Sequence, residues 1–427
     1  MTAALSAGGG VARPWLVAPA RLSGGIFWVC VFLGGFVINE PAPYDLFVAA
    51  VIFFWFILGL KLQREFAPLI VLMLLFISGG LVSMTQSSVM NSQVIMYMAI
   101  TGFLISTSVL YAAAIADDPN RLTTLRNAYV AAAVVAALTG IIGYFHLLPG
   151  SGIFTLYGRA KGTFEDPNVF GPFLVLPTVM LVREVLTQPL SKLPMRIVAL
   201  AILAIAILLA FSRAAWGLTA FASAFVGAMV FINERDPRKR VRLLGIGLVA
   251  IFVIFLVLVV VLSTESAGKL FAERAHLVQN YDGGRLGRFA RHLLGFELVL
   301  ERPLGIGPFD FAMFFPEDPH NTYLKAFVAY GWIGGISYFV LYFWTLFRLV
   351  PVAFQRRPWQ PYAQCVLAVL VGHSIVQAII DTDHWRHLYL LFGVAWGVIA
   401  LDARANRHLR RAIHAAEHFN AAHKSHI

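Results

Sequence analysis

Apolar side chains run in long unbroken stretches along this chain, and polar ones collect between them. The stretches predict twelve helices, over 22–38, 42–60, 66–84, 94–116, 127–147, 169–187, 195–212, 214–232, 243–262, 322–347, 363–380 and 387–401. A helix rising ~1.5 Å per residue needs ~20 apolar residues to cross ~30 Å of hydrocarbon, and most of these runs have that length. A closed β-barrel would instead show short alternating segments of about ten residues. The fold expected is all-α: a polytopic integral membrane protein of about twelve transmembrane helices, residues 1–427 forming one membrane domain. With 59% hydrophobic and 13% charged residues, the chain is too greasy for a soluble domain.

The spacing of charge orients the spans. If the N-terminus is cytoplasmic, 22 of the 33 basic and eight of the 22 acidic residues fall on the cytoplasmic side, a net +14 against −3 opposite. That asymmetry satisfies the positive-inside rule. Both termini are then cytoplasmic, 402–427 is a basic cytoplasmic tail, and the loops 148–168 and 263–321 face the periplasm. Arg13 and Arg21 ahead of an apolar run imitate a signal peptide, but the next run follows at once, so a retained first span is expected. The total charge of +11 calls for anionic lipid rather than nucleic acid. Cys30 and Cys365 both sit inside apolar runs, with no disulfide framework and no zinc spacing.

Polar chemistry concentrates in the large loop 263–321, inserted between the ninth and tenth spans. It holds Arg285, Arg288, Arg291, His292, Arg302, Asp310 and, at its end, Pro319-His320-Asn321. Within it, Leu286, Phe289, Leu293, Phe296, Val299 and Leu300 recur at helical spacing. They predict an amphipathic helix lying along the membrane interface, with Arg288, Arg291 and His292 on its other side. Glu301-Arg302-Pro303 stops that helix, and the glycines of Gly305-Ile306-Gly307-Pro308 are read as geometry, a bend back toward the membrane.

Three further features point the same way. Arg213 stands in a hairpin, Ser212-Arg213-Ala214, almost without a loop, and at that depth it needs a partner, either a bound anion or a protein carboxylate. Arg159 and Lys161 lie on the side that the positive-inside rule depletes of cations. They precede Asp166-Pro167-Asn168, where Asp166 or Asn168 can cap the next helix and leave its N-terminus facing an anion. His320 taken alone reads as a solvated or capping group. The short loop Asp381-Thr382-Asp383-His384-Trp385-Arg386-His387 contains possible ligands, although Trp385 suits an interfacial belt. His373 is expected as a hydrogen-bonded intramembrane residue. The histidines from His408 to His426 read as an amphipathic tail rather than a metal tract.

Arg159-x-x-Gly-Thr-Phe-x-Asp-Pro-Asn168, Ser212-Arg213 at a hairpin, and a large loop running from Gly284-Arg285 through Pro303-Leu304-Gly305-Ile306-Gly307 to His320-Asn321 together resemble the O-antigen ligase and polymerase superfamily. The resemblance spans roughly residues 150–340. At Asp166 the chain departs from the pattern, where members often carry a histidine or another polar residue. Membership implies a metal-independent, inverting glycosyltransferase of the membrane-embedded GT-C type, with no cofactor. It implies a donor glycan on undecaprenyl diphosphate and, as acceptor, lipid A-core or a lipid-linked glycan, in the bacterial inner membrane with a periplasmic active site. It further implies that Arg213 and Arg285 bind the donor diphosphate, with Arg159 as a further contact, and that His320 orients or deprotonates the acceptor hydroxyl. Lys161, Asn168, Arg288 and Asn321 are the remaining candidates for substrate binding.

These roles suit the residue types. Guanidinium forks pair with phosphate oxygens bidentately and stay charged, and imidazole accepts protons near neutral pH. O-antigen ligation is the expected reaction, because one large external loop is evident where a polymerase is expected to carry two. Polymerisation of O-antigen or exopolysaccharide and glycosylation of protein are the sibling alternatives. A transporter or flippase would bind near the midplane through broken helices and intramembrane charges. This chain keeps its charges at helix ends and in one loop.

Overall fold

A computed structural model describes residues 14–57, 62–263 and 287–424. Among the described residues, seven helices are long and apolar enough to cross a membrane, and four shorter apolar helices accompany them, as befits a multi-pass membrane protein. In chain order the helices are α1 (Pro14–Leu33), α2 (Pro43–Ile57), α3 (Ala67–Met84), α4 (Ser92–Asp117) and α5 (Arg121–Tyr144). A small hairpin of β1 (Thr155–Leu156) and β2 (Arg159–Ala160) follows. Then come α6 (Pro167–Phe173), α7 (Val175–Thr187), α8 (Pro194–Leu209), α9 (Arg213–Asn233), α10 (Pro237–Ser263), α11 (Arg288–Glu301), α12 (Thr322–Phe354), α13 (Gln360–Val376) and α14 (Arg386–Lys424).

Each of the twelve apolar stretches falls on helix, yet several boundaries differ for local reasons. The run 22–38 stops being helical at Leu33. Val37 leaves to donate its N–H to the Thr163 carbonyl at 2.7 Å, tying the end of α1 to the loop before α6. The run 169–187 is two helices that part at Leu174, because Pro177 has no N–H to give the Phe173 carbonyl, which accepts from the Tyr129 hydroxyl instead. The last span continues without interruption to Lys424, so the tail is the same helix carried past its apolar part.

Small residues let the backbones approach, the usual solution where lipid removes the hydrophobic drive between helices. Gly79 of α3 lies against Tyr330 and Gly334 of α12, and Gly393 and Gly397 of α14 lie against Tyr111, Ser108 and Ile115 of α4. The α4–α14 approach helps bury the middle of α14, from Leu388 to Leu401, and Gly35 lies against Ala132 on the buried alanine face of α5 (Ala128, Ala132, Ala136). At one end of the bundle Glu184 accepts from Arg126 at 2.6 and 2.8 Å and from Arg196. The hairpin, α11 and the first turns of α9 and α12 gather at the other end.

α11 covers Arg288–Glu301, inside the predicted stretch, and Arg291 lies on the side away from the apolar stripe as expected. The apolar stripe Phe289, Leu293, Phe296 and Leu300 points outward, 38–67% exposed, whereas Arg291 is buried and pairs with Glu317 at 2.8 Å. The inward row is Arg291, Gly295 and Val299, with Gly295 pressed on Leu324 and Phe311. The chain then bends through Gly305 and Gly307, whose φ of 84° and 98° only glycine adopts without strain. The bend docks where α12 itself breaks at Gly331, with Trp332 N–H on the Pro303 carbonyl and Ile306 N–H on the Val328 carbonyl, both at 2.9 Å.

Candidate active site

The hairpin turn Tyr157-Gly158, with φ of 51° and 71°, reverses the chain in two residues and sends Arg159 inward, where it is buried. Its Nε donates to the Ala210 carbonyl and its Nη2 to Asn168 Oδ1, each at 2.8 Å. Asn168 in turn gives its backbone N–H to Asp166 Oδ1, the cap of α6. Asp166, Asn168 and Arg159 are thus one chain of hydrogen bonds that seats the guanidinium beside the Ser212-Arg213 hairpin. Ser212 caps α9, Phe211 before it is left-handed (φ 44°), and Arg213 opens the helix half-buried.

His320 comes from the opposite direction. Asn321 caps α12 by accepting from Leu324 N–H at 3.0 Å, and Thr322 N–H donates to the Gln377 carbonyl at 2.8 Å. His320 is left-handed at φ 46°, an uncommon state for a residue with Cβ. His292 of α11 donates from Nε2 to the carbonyl of Pro319 at 2.6 Å, so the loop helix grips the residue next to it.

These pieces enclose a cavity of about 660 Å³. Its polar end is lined by Arg159, Asp166, Asn168, Ser212, Arg213, His320 and Asp381; its stem is lined by Gly217, Leu218 and Phe221 of α9 and by Gly372, Ile375, Val376 and Ile379 at the end of α13. Phe221, Ile375 and Ile379 are 36–59% exposed, so the apolar part of the lining reaches the surface of the bundle. Of the residues expected in a site, Arg159, Asn168, Arg213 and His320 meet here. Lys161 and Asn321 do not line the cavity, and Asn321 is occupied as a helix cap. Arg285 lies outside the described residues. Arg288 begins α11, whose next residue, Phe289, lines the cavity.

The sequence left the Asp381–His387 loop undecided, and the structure separates its members. Asp381 lines the cavity, while Arg386 turns away to Asp45 at 2.7 Å and Glu40 at 3.0 Å. Lys325 stands between Asp381 at 3.5 Å and Asp383 at 3.8 Å, so one ammonium serves two carboxylates. Asp383 also accepts from the Tyr97 hydroxyl, and His384 Nε2 meets Thr101 at 2.9 Å. Burial works to raise Asp383, but Lys325, His384 and the Tyr97 hydroxyl outweigh it and hold its carboxyl below the usual range. Asp381 lacks those extra donors, and burial pushes it above that range against the pull of Lys325. A lysine in the first turn of a predicted span was the sequence signal for this network.

Two expectations are corrected. Trp385 is buried, packed on His387 at 5.1 Å and His373 at 6.0 Å, rather than placed in an interfacial belt. Neither ring nitrogen of His373 has a hydrogen-bond partner among the described residues; its ring meets Trp385 edge-on and His387 at a tilt.

Residues 198–339 match the model of the family described as O-antigen ligase, which bears out the resemblance to the O-antigen ligase and polymerase superfamily. The matched span includes Arg213, Arg285 and His320; Arg159, Asn168 and Asp381 lie outside it and reach the cavity through the fold. No curated protein matches the chain.

Proposed function

We propose that this chain, with the O-antigen ligase family's match over residues 198–339, is an inverting membrane glycosyltransferase. In this reading it moves a glycan from a polyprenyl diphosphate carrier, undecaprenyl diphosphate in the bacterial inner membrane, to an acceptor at the periplasmic face. The acceptor we favour is lipid A-core. The observation that carries the reading is the lining of the cavity, which joins Arg159, Arg213 and His320 to an apolar stem that reaches the surface of the bundle. A lipid diphosphate has the same two-part chemistry, and a soluble sugar nucleotide would leave the stem without purpose.

Glycosyl transfer builds negative charge on the departing diphosphate. Fixed guanidinium groups stabilise that charge without reorganising, most strongly where water is excluded. Arg213 is the candidate nearest the stem, Arg159 is held rigidly by two hydrogen bonds that aim it, and Arg285 is the expected third. His320 faces the same space from the segment before α12 and is placed to orient an acceptor hydroxyl or take its proton. Attack from the side opposite the diphosphate inverts the anomeric carbon and needs no metal ion.

The test is transfer in purified components. If Arg213→Ala and His320→Ala proteins, present in the membrane at native level, still moved glycan from a lipid-linked donor, this assignment would be wrong. The glycolipids of a deletion strain decide the acceptor: long chains held on carrier lipid beside bare core mark a ligase, and core bearing one repeat marks a polymerase.

A further inference from the structure

We infer that Asp381 is the proton acceptor for the attacking hydroxyl, with Lys325 holding its carboxylate in place and His320 orienting the acceptor. This inference rests on the glycosyl-transfer reading above and names the base within it.

The two carboxylates that share Lys325 stand in unequal surroundings. Asp383 is satisfied by Lys325 and the Tyr97 hydroxyl and does not line the cavity. Asp381 lines the cavity beside Arg213 and His320, its Oδ2 is 3.5 Å from Lys325 Nζ, and its Oδ1 is buried without a hydrogen-bond partner among the described residues. The Asp381 side chain keeps 17% exposure, so a substrate hydroxyl in the cavity can reach the carboxylate, and the fold leaves that carboxylate with hydrogen-bonding capacity to spare. Rotation about χ2 exchanges the two oxygens, so either can meet it. When neighbouring titratable groups are driven apart in this way, the less satisfied one is suited to proton transfer.

The charges that face Asp381 come from three elements: Lys325 of α12, His320 and Asp318 from the segment before α12, and Asp383 of its own loop. Burial raises its carboxyl, with Asp383 and Asp318 acting the same way and Lys325 and His320 opposing. A raised carboxylate is a stronger base at neutral pH. In the step itself the acceptor O–H bond breaks and its proton goes to Asp381. The oxygen's electron pair forms the bond to the anomeric carbon. The bond from that carbon to the diphosphate oxygen breaks, and its pair leaves on the diphosphate.

The sign of the pH dependence follows. Only the ionised form accepts a proton, so activity is full above the folded pKa and is lost as pH falls through it, and the acidic limb lies above the ordinary carboxylate range. The experiment compares full-length native, Asp381→Asn, Asp381→Glu, Asp383→Asn and His320→Gln proteins. Each transfers glycan from a synthetic polyprenyl-diphosphate donor over roughly pH 5 to 8. For Asp381→Asn, kcat falls by about 10²- to 10⁴-fold, donor KM stays within a few-fold, and the acidic limb disappears. Asp381→Glu recovers part of the rate, and Asp383→Asn and His320→Gln keep the limb.

Should the Asp381→Asn protein not accumulate, Asp381→Ser, smaller and equally neutral, is read the same way in membranes. A native-like kcat and limb in either neutral variant, or loss of the limb in His320→Gln alone, overturns the inference while leaving the glycosyl-transfer reading standing. A native protein that binds donor and transfers nothing overturns both.

Discussion

Filling the stem of the cavity tests its proposed occupant directly. Gly217 lies one turn along α9 from Arg213 and one turn before Phe221, so the stem descends about 12 Å over those two turns. A Cβ built on Gly217 meets nothing within 4 Å, so Gly217→Leu enters open space rather than a neighbour. Helix propensity favours leucine over glycine by up to ~1 kcal/mol, so the folded state is not weakened. The magnitude for donor binding does not come from buried area, because a polyprenyl chain excluded from the stem lies in lipid that is equally apolar. What remains is overpacking, ~1–3 kcal/mol when extra methylenes enter filled space. At ~1.4 kcal/mol per decade this is about a five- to hundredfold rise in KM for a long-chain donor. Initial rates against donor concentration measure it, with thermal unfolding in detergent as the control. A donor with a chain too short to fill the stem keeps its native KM. An unchanged KM for the long chain, or an equal loss for the short one, refutes the assignment of the stem.

Three further outcomes are expected. Arg213→Ala loses transition-state stabilisation of ~2.7–4 kcal/mol, about 10²- to 10³-fold in kcat, and Arg213→Lys recovers part of it because it keeps charge but not the fork; single-turnover rates check this. His292→Leu removes the N–H that holds the Pro319 carbonyl, and His292→Gln restores a donor at that reach. The leucine variant therefore loses kcat with acceptor KM little changed and the glutamine variant is rescued, whereas a purely structural role would show equal losses in both. Lys325→Met leaves Asp381 and Asp383 buried without their ammonium, which costs on the order of 3–5 kcal/mol, and adding Asp383→Asn returns part of the unfolding temperature.

Apolar periodicity located the helices because burying or lipidating a run of ~20 apolar residues is a local property of the sequence. It missed the break at Leu174, which hydropathy does not register. It identified the amphipathic helix and its outward stripe Phe289, Leu293, Phe296 and Leu300, but not that Arg291 and Val299 are buried. Arg213 and Arg159 stood out because cations on the depleted side of a membrane protein need a reason. Asp381 did not stand out, because nothing local distinguishes it from Asp383 two residues on.

The sequence by itself determined a helical membrane protein and singled out Arg159, Arg213 and His320, which the fold gathers at one end of the bundle. Those follow from the hydrocarbon's demand for satisfied backbone and from where charge is tolerated. Only the tertiary structure decided that the hairpin, the start of α9, His320 and Asp381 line one cavity, and that Lys325 divides itself between two unequal carboxylates. Contacts between residues a hundred or more positions apart depend on which helices pack together, and small residues such as Gly79, Gly334 and Gly393 settle that by how closely they let backbones approach.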